Sequence, residues 1–91
     1  MRYEWDEKKR KTNLRKHRLD FLDAPLVFAG ITLTVLDERV DYGEERYLTL
    51  GLLRNVVVAV VHTEHPGVIR VISMRKASRY EEDNYCTQVG N

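Results

Sequence analysis

One cysteine, Cys86, in 91 residues rules out an internal disulfide, so the fold has to be held by its core and its hydrogen bonds. No apolar run approaches the roughly 18 residues that span a bilayer; the longest, Val56 to Val61, is the size of one strand. Nothing at the start resembles an apolar signal core behind a basic flank. These absences predict a reducing, cytoplasmic setting and no membrane association. There is no Walker loop, dinucleotide fingerprint or nucleophile elbow, which removes the common nucleotide-dependent and serine-hydrolase chemistries. Net charge is also scarce, at +1.

That small total hides a strong asymmetry. Residues 1–18 carry eight Lys/Arg against three acids, residues 19–69 carry three against eight, and residues 70–91 carry four against three. A basic segment and an acidic segment suggest one face for a polyanion and another for something cationic, although a solvated mixed-charge surface fits the charge alone equally well. The length suits a single domain over residues 1–91, and 43% hydrophobic with 32% charged residues is globular composition.

The periodicity predicts an α+β fold. Arg2 to Trp5 reads as a strand, and Asp6 as the N-cap of a basic helix from Glu7 to about Arg18. A second short helix is signalled by Phe21, Ala24 and Phe28, opened by Asp20 and closed by Gly30, with Pro25 in its first turn. Strands follow from Ile31, from Tyr47 to Leu53, from Val56 to Val61 and from Val68 to Met74. An acidic loop is expected over Asp37–Gly43, a hairpin turn at Arg54-Asn55 and another turn over Glu64–Gly67. Short connections make these strands antiparallel, and Val56 to Val61, apolar on both faces, is the central one. A last helix runs from about Ala77 to Gln88, where Ser78 and Glu81 have capping-box spacing.

Several polar residues fall at element ends, where they can converge. Arg46 ends a row of core-facing leucines; Ser73 and Arg75 share a strand face; Glu81 and Tyr85 share a helix face; Lys9, Lys16 and His17 come from the basic helix. Metal-free RNA cleavage needs such a set: cations for the scissile phosphate and the transition-state charge, a base for the attacking 2′-hydroxyl and an acid for the leaving oxygen. Arg46 and Arg75 suit phosphate because a guanidinium forks onto two oxygens. His17 or Glu81 are candidates to take the proton, and Lys9, His17 or Tyr85 to return one. Lys8, Lys16, Asn13, Ser73, Lys76 and Arg79 are candidates to hold the RNA.

Each has a plainer reading. Glu81 caps its helix or pairs with an arginine, Tyr85 docks the helix on the sheet, His17 is a solvated surface residue, and Arg46 pairs with an acid of the 37–45 loop. His62, Glu64 and His65 look metal-like, but the two histidines are three apart across a strand-to-turn junction rather than on a helix, so no metal site and no cofactor are expected.

The residues in order resemble the BrnT toxins of bacterial type II toxin–antitoxin systems. The match runs from Trp5-Asp6-Glu7-Lys8-Lys9 through Asn13, Lys16-His17, Phe21, Ala24 and Val27-Phe28. It resumes in Asp41-Tyr42-Gly43-Glu44-Glu45-Arg46, Leu50-Gly51 and Val60-Val61-His62-Thr63-Glu64. It closes on Arg70-Val71-Ile72-Ser73-Met74-Arg75-Lys76-Ala77, Glu81 and Tyr85. The resemblance implies a RelE-like fold, with an N-terminal strand and two helices on an antiparallel sheet and a C-terminal helix. It also implies a ribonuclease that arrests growth, neutralised by a cognate BrnA-like antitoxin that represses their shared promoter. DNA contact would come only through that antitoxin, within a hetero-oligomer containing a toxin dimer. The polar motif positions are Lys9, Asn13, Lys16, His17, Arg46, Ser73, Arg75, Glu81 and Tyr85. Arg18 departs from the pattern, since the family usually has glycine after the histidine. A degenerate toxin that only binds partners, and a ribosome-dependent messenger RNA nuclease, are the competing functions; the full polar set argues against the first and the low net charge against the second.

Overall fold

The computed structural model describes residues 1–38 and 43–89. Residues 39–42 of the expected acidic loop, with Arg39, Asp41 and Tyr42, lie outside the described residues. The elements are β1 (Arg2–Glu4), α1 (Glu7–His17), a 3₁₀ turn (Phe21–Asp23), α2 (Ala24–Ala29), β2 (Leu33–Leu36), β3 (Tyr47–Leu53), β4 (Val56–His65), β5 (Val68–Lys76) and α3 (Arg79–Val89).

Local chemistry sets the boundaries. Asp6 caps α1 by accepting from the Lys9 amide at 3.1 Å, and Asp20 caps the 3₁₀ turn by accepting from the Leu22 amide. Arg10 forks onto Asp20 at 2.8 and 3.1 Å and also reaches Glu7, which ties α1 to the following turn. Helix α1 ends on Arg18, whose φ of 61° and ψ of 26° are left-handed and whose amide donates to the Leu14 carbonyl. Glycine suits that position, because a side chain there is crowded by the backbone. Arg18→Gly is therefore expected to raise stability by about 0.5–1 kcal/mol, read as a higher urea midpoint at unchanged slope.

The described residues form one five-stranded sheet in the order β1-β5-β4-β3-β2. The four longer-range strands pair antiparallel as expected, with β4 central. The β3–β4 hairpin turns on Arg54 and Asn55, both at positive φ, the type I′ geometry that matches strand twist. Two features differ from the expectation. β1 pairs with β5 in parallel, and β4 continues to His65, so that His65 faces Val68 and the turn shrinks to Pro66-Gly67. His62 thus sits inside a strand rather than at a turn.

Each sheet face has its own core. On one face, Phe21, Ala24 and Val27 pack on Leu53, Val58, Val60, Ile69, Val71 and Met74, with Trp5 and Phe28 at the margin. Gly51 lets α2 approach β3 closely, for a Cβ there would meet Val27 Cγ1 at 2.7 Å. On the other face, Leu48, Leu50, Val57, Ala59 and Val61 are covered by Tyr85 of α3. A bulge in β5 separates them: Val61 faces Ser73 while His62 faces Val71, so Ile72 is the extra residue. Bulges re-aim side chains, and this one places Ile72 and Ser73 together on the α3 face.

Candidate active site

Among the described residues no strand lies beside the outer edge of β5 beyond Arg70, because β1 is only three residues long. Helix α1 packs along that edge and hydrogen-bonds to it through Asn13. The Asn13 amide donates to the Met74 carbonyl at 2.8 Å and to the Leu19 carbonyl at 3.1 Å, and its oxygen accepts from the Met74 amide at 3.1 Å. Asn13 is buried and its hydrogen-bonding atoms are all engaged within the fold. The side chain does for β5 what a neighbouring strand would do.

This docking creates a groove of about 330 Å³ between α1 and the bulged part of β5. Its helix wall carries Lys8, Lys9, Thr12, Lys16 and His17, and its strand wall Ile72 and Ser73. The cations of that wall lie at helical spacing, and among the described residues none of Lys8, Lys9 and Lys16 has an ion-pair partner. The result is a concave anion-attracting surface with an imidazole and two hydroxyls, of Thr12 and Ser73, in its lining.

Arg75 lies two residues beyond Ser73 on the same face, opposite Ala59. It forks onto Glu81, Nη1 to Oε1 at 2.7 Å and Nη2 to Oε2 at 2.9 Å. Glu81 also completes the capping box: Oε1 accepts from the Ser78 amide at 2.8 Å and the Glu81 amide donates to Ser78 Oγ at 3.1 Å. The Arg75 guanidinium and these cap bonds hold the Glu81 carboxyl at a pKa of about 2. At neutral pH such a carboxylate is a weak base, and its two bonds fix the orientation of the Arg75 guanidinium. Because the folded pKa lies below the ordinary value, the stabilisation is complete above about pH 4.5 and lost as pH falls towards 2. Glu81→Gln should flatten the acid limb of the stability profile across that window, as followed by urea unfolding at successive pH values.

The remaining candidates are placed elsewhere. The Tyr85 hydroxyl donates to the Ile31 carbonyl at 2.7 Å, and the ring is buried under α3, which is the docking role. Arg46 precedes β3 and donates from Nε to Glu44 at 3.3 Å, an acid of the 37–45 loop. The strand register sets Arg46 four residues along β3 from Leu50, the residue in line with Ala59 and Arg75. Strand rise and spacing then separate the two arginine Cα atoms by roughly 16 Å, so they are not neighbours at one point. Lys76 ends β5 and Arg79 begins α3, and both are exposed.

His62 is fully buried in the α2 face, edge-on to Phe28 at 5.1 Å and stacked with Tyr47 at 5.9 Å. Its Nε2 bonds Thr49 Oγ1 at 2.7 Å, and that hydroxyl in turn meets Thr34 Oγ1 at 2.7 Å. Burial pushes the imidazole below its usual pKa, so it is neutral at physiological pH. Among the described residues no three His, Cys, Asp or Glu side chains are grouped to hold a metal ion, and no helix is long and apolar enough to cross a membrane. The residues that sequence reasoning missed are Thr12 and Ile72. Thr12 shares the stripe of Lys9 and Lys16 but carries no charge, and Ile72 enters the groove only through the bulge.

A family model described as the ribonuclease toxin BrnT of type II toxin–antitoxin systems matches residues 5–81, which include α1, the four strands β2 to β5 and the Arg75–Glu81 pair. No curated protein matches the chain.

Proposed function

Because the chain belongs to the BrnT family of ribonuclease toxins of type II toxin–antitoxin systems, we propose that it is an endoribonuclease that works without a metal ion, in the groove between α1 and β5. The observation that carries this reading is the wall formed by Lys9, Lys16 and His17 facing Ser73, with the Glu81-held Arg75 next along the strand. In this reading Arg75 and the lysines hold the scissile phosphate and offset the charge that builds on it. His17 takes the 2′-hydroxyl proton as that oxygen attacks the adjacent phosphorus. Lys9 gives a proton to the departing 5′-oxygen, leaving a 2′,3′-cyclic phosphate on one fragment and a 5′-hydroxyl on the other. Ser73 and Lys8 contact the flanking backbone. Lys76 and Arg79 serve phosphates beyond Arg75, and Arg46 serves a point further away across the sheet. Asn13, Glu81 and Tyr85 position these groups rather than touch RNA. The same reading takes the fold as RelE-like.

Its biological side is a cognate antitoxin that covers the basic groove in the cytoplasm and represses the shared operon, with paired toxins in the complex. Operator DNA is then touched only through the antitoxin. The +5 balance of residues 1–18 supports an acidic antitoxin segment as the occupant.

The chemistry is tested with two RNAs that differ only by a 2′-deoxy sugar at the cleaved position. The all-ribose strand should yield a cyclic phosphate end, detectable by mass, and the deoxy strand should stay intact at that position. Equal cleavage of both, or a 5′-phosphate product, contradicts attack by the 2′-hydroxyl.

A further inference from the structure

The groove uses only one side of α1. Lys9 and Lys16 are seven residues apart on the flank that faces β5, and Lys11 and Arg18 are seven apart on another stripe. The two stripes are offset by two residues, about 200° around a helix. Between them run Lys8 and Arg15. Lys8, Lys11, Arg15 and Arg18 therefore follow one another at intervals of three, four and three, a continuous row of cations across the solvent side.

This row is not what an ordinary solvated helix face carries. After Glu7 the segment to Arg18 contains no acid at all. The one cation that turns inward, Arg10, is met by both Asp20 and Glu7. Among the described residues none of Lys8, Lys11, Arg15 and Arg18 has an ion-pair partner. Like charges three and four apart weaken a helix, and Lys8 also lies in its positive first turn, while Arg15 and Arg18 sit at the negative end where cations are favoured. Arg18 adds an independent cost, since it occupies a left-handed position that glycine fills without strain. A charge is kept there against the local preference of the backbone. In the middle of the patch Leu14 is 37% exposed, and with Lys11, Arg15 and Arg18 it lines a shallow groove of its own.

We infer that this outward face is a second RNA-binding track, in which Lys11, Arg15 and Arg18 hold backbone phosphates and Leu14 offers an apolar surface to a base or ribose. Lys8 joins it to the first groove, because it lines that groove and also begins the outward row. Past Lys8, a strand leaving the cleavage groove crosses a stretch of α1 that carries no acidic residue of its own. This rests on the RNA-cleaving reading above and adds to it a dependence on substrate length. Short RNAs fill the groove alone, and longer ones gain the track.

The test compares wild type with the Lys11→Gln/Arg15→Gln double variant, both residues lying outside the cleavage groove. The probes are fluorescein-labelled single-stranded 2′-O-methyl RNAs of about 6 and about 20 nucleotides, which have no attacking hydroxyl and span the range of single-strand site sizes. Anisotropy is read from roughly 50 to 200 mM KCl. For the longer RNA, the slope of log affinity against log salt should shrink by about 1.4, twice the roughly 0.7 expected per phosphate contact on a single strand. Binding of the short RNA, and cleavage of its all-ribose counterpart, should not change. An unchanged slope on the longer RNA, equal wild-type affinity for both lengths, or equal losses on both lengths overturns the second track alone. Wild type that binds neither RNA and cleaves none overturns the RNA-cleaving reading and the track with it.

Discussion

Replacing Arg75 by alanine should lower the single-turnover rate of RNA cleavage by about 100-fold or more, the usual loss when one preorganised donor to a developing oxyanion is removed. Its guanidinium is already fixed before substrate arrives, by two bonds to Glu81 at 2.7 and 2.9 Å. In the proposed reaction that geometry needs no reorganisation when charge builds on the phosphate. The same pair joins β5 to the start of α3, so Arg75→Ala should also lose some stability, of order 1–2 kcal/mol for a partly buried charged hydrogen-bond pair. Arg75→Lys separates the two effects. It keeps a charge but not the fork, and should retain part of the activity with a similar loss of stability. If Arg75→Ala is folded by circular dichroism and cleaves at the wild-type rate, the guanidinium has no part in the reaction.

Asn13→Ala should be the most damaging polar substitution for stability, by about 2–4 kcal/mol, which for a chain of this size moves Tm by more than about 10 °C. Three hydrogen bonds disappear together, and the Met74 amide and carbonyl are left without partners at a buried strand edge. Asn13→Asp should also fail, because it keeps the acceptor and loses both donors. Thermal unfolding of the variants checks this. A cleavage defect at unchanged Tm would instead return Asn13 to the RNA-contacting set in which its motif position first placed it.

Asn13 also marks the limit of what the sequence makes legible. Its neighbours on α1 are lysines and arginines, so local pattern places it on a solvated face. Its partner is a main-chain peptide 61 residues away, and a backbone partner leaves no signature in the residue type there. Tyr85 and the Ile31 carbonyl are another such pair, 54 residues apart. Features that depend on near neighbours were readable: the Asp6 cap, the Arg54-Asn55 turn and the Ser78–Glu81 capping box all form as their spacing predicts. The end of β4 differs from the sequence expectation, because the strand pattern stops at Val61 and Glu64 to Gly67 reads as a turn, whereas β4 continues to His65. Pairing with β5 and burial against Phe28 and Tyr47 override that preference. The parallel placement of β1 has no local signal at all, since three residues cannot encode which edge they join.

The candidate site shows the same division. Grouping Lys9, Lys16 and His17 required only helical spacing, and pairing Ser73 with Arg75 required only strand alternation. Bringing the helix residues to Ser73 required the docking of α1 on the open edge of β5 and the bulge at Ile72. Arg46 satisfies the sequence pattern equally well, but the register carries it far along another strand. Convergence is a tertiary property, and the residue types alone could not separate Arg46 from Arg75.

The most direct test of the central claim is cleavage of purified RNA by the isolated protein in excess EDTA, with Arg75→Ala alongside. The account predicts cleavage by wild type at the rate seen without chelator, and little or none by the variant. Cleavage that stops with EDTA and returns with added divalent metal, or equal cleavage by both proteins, would contradict it.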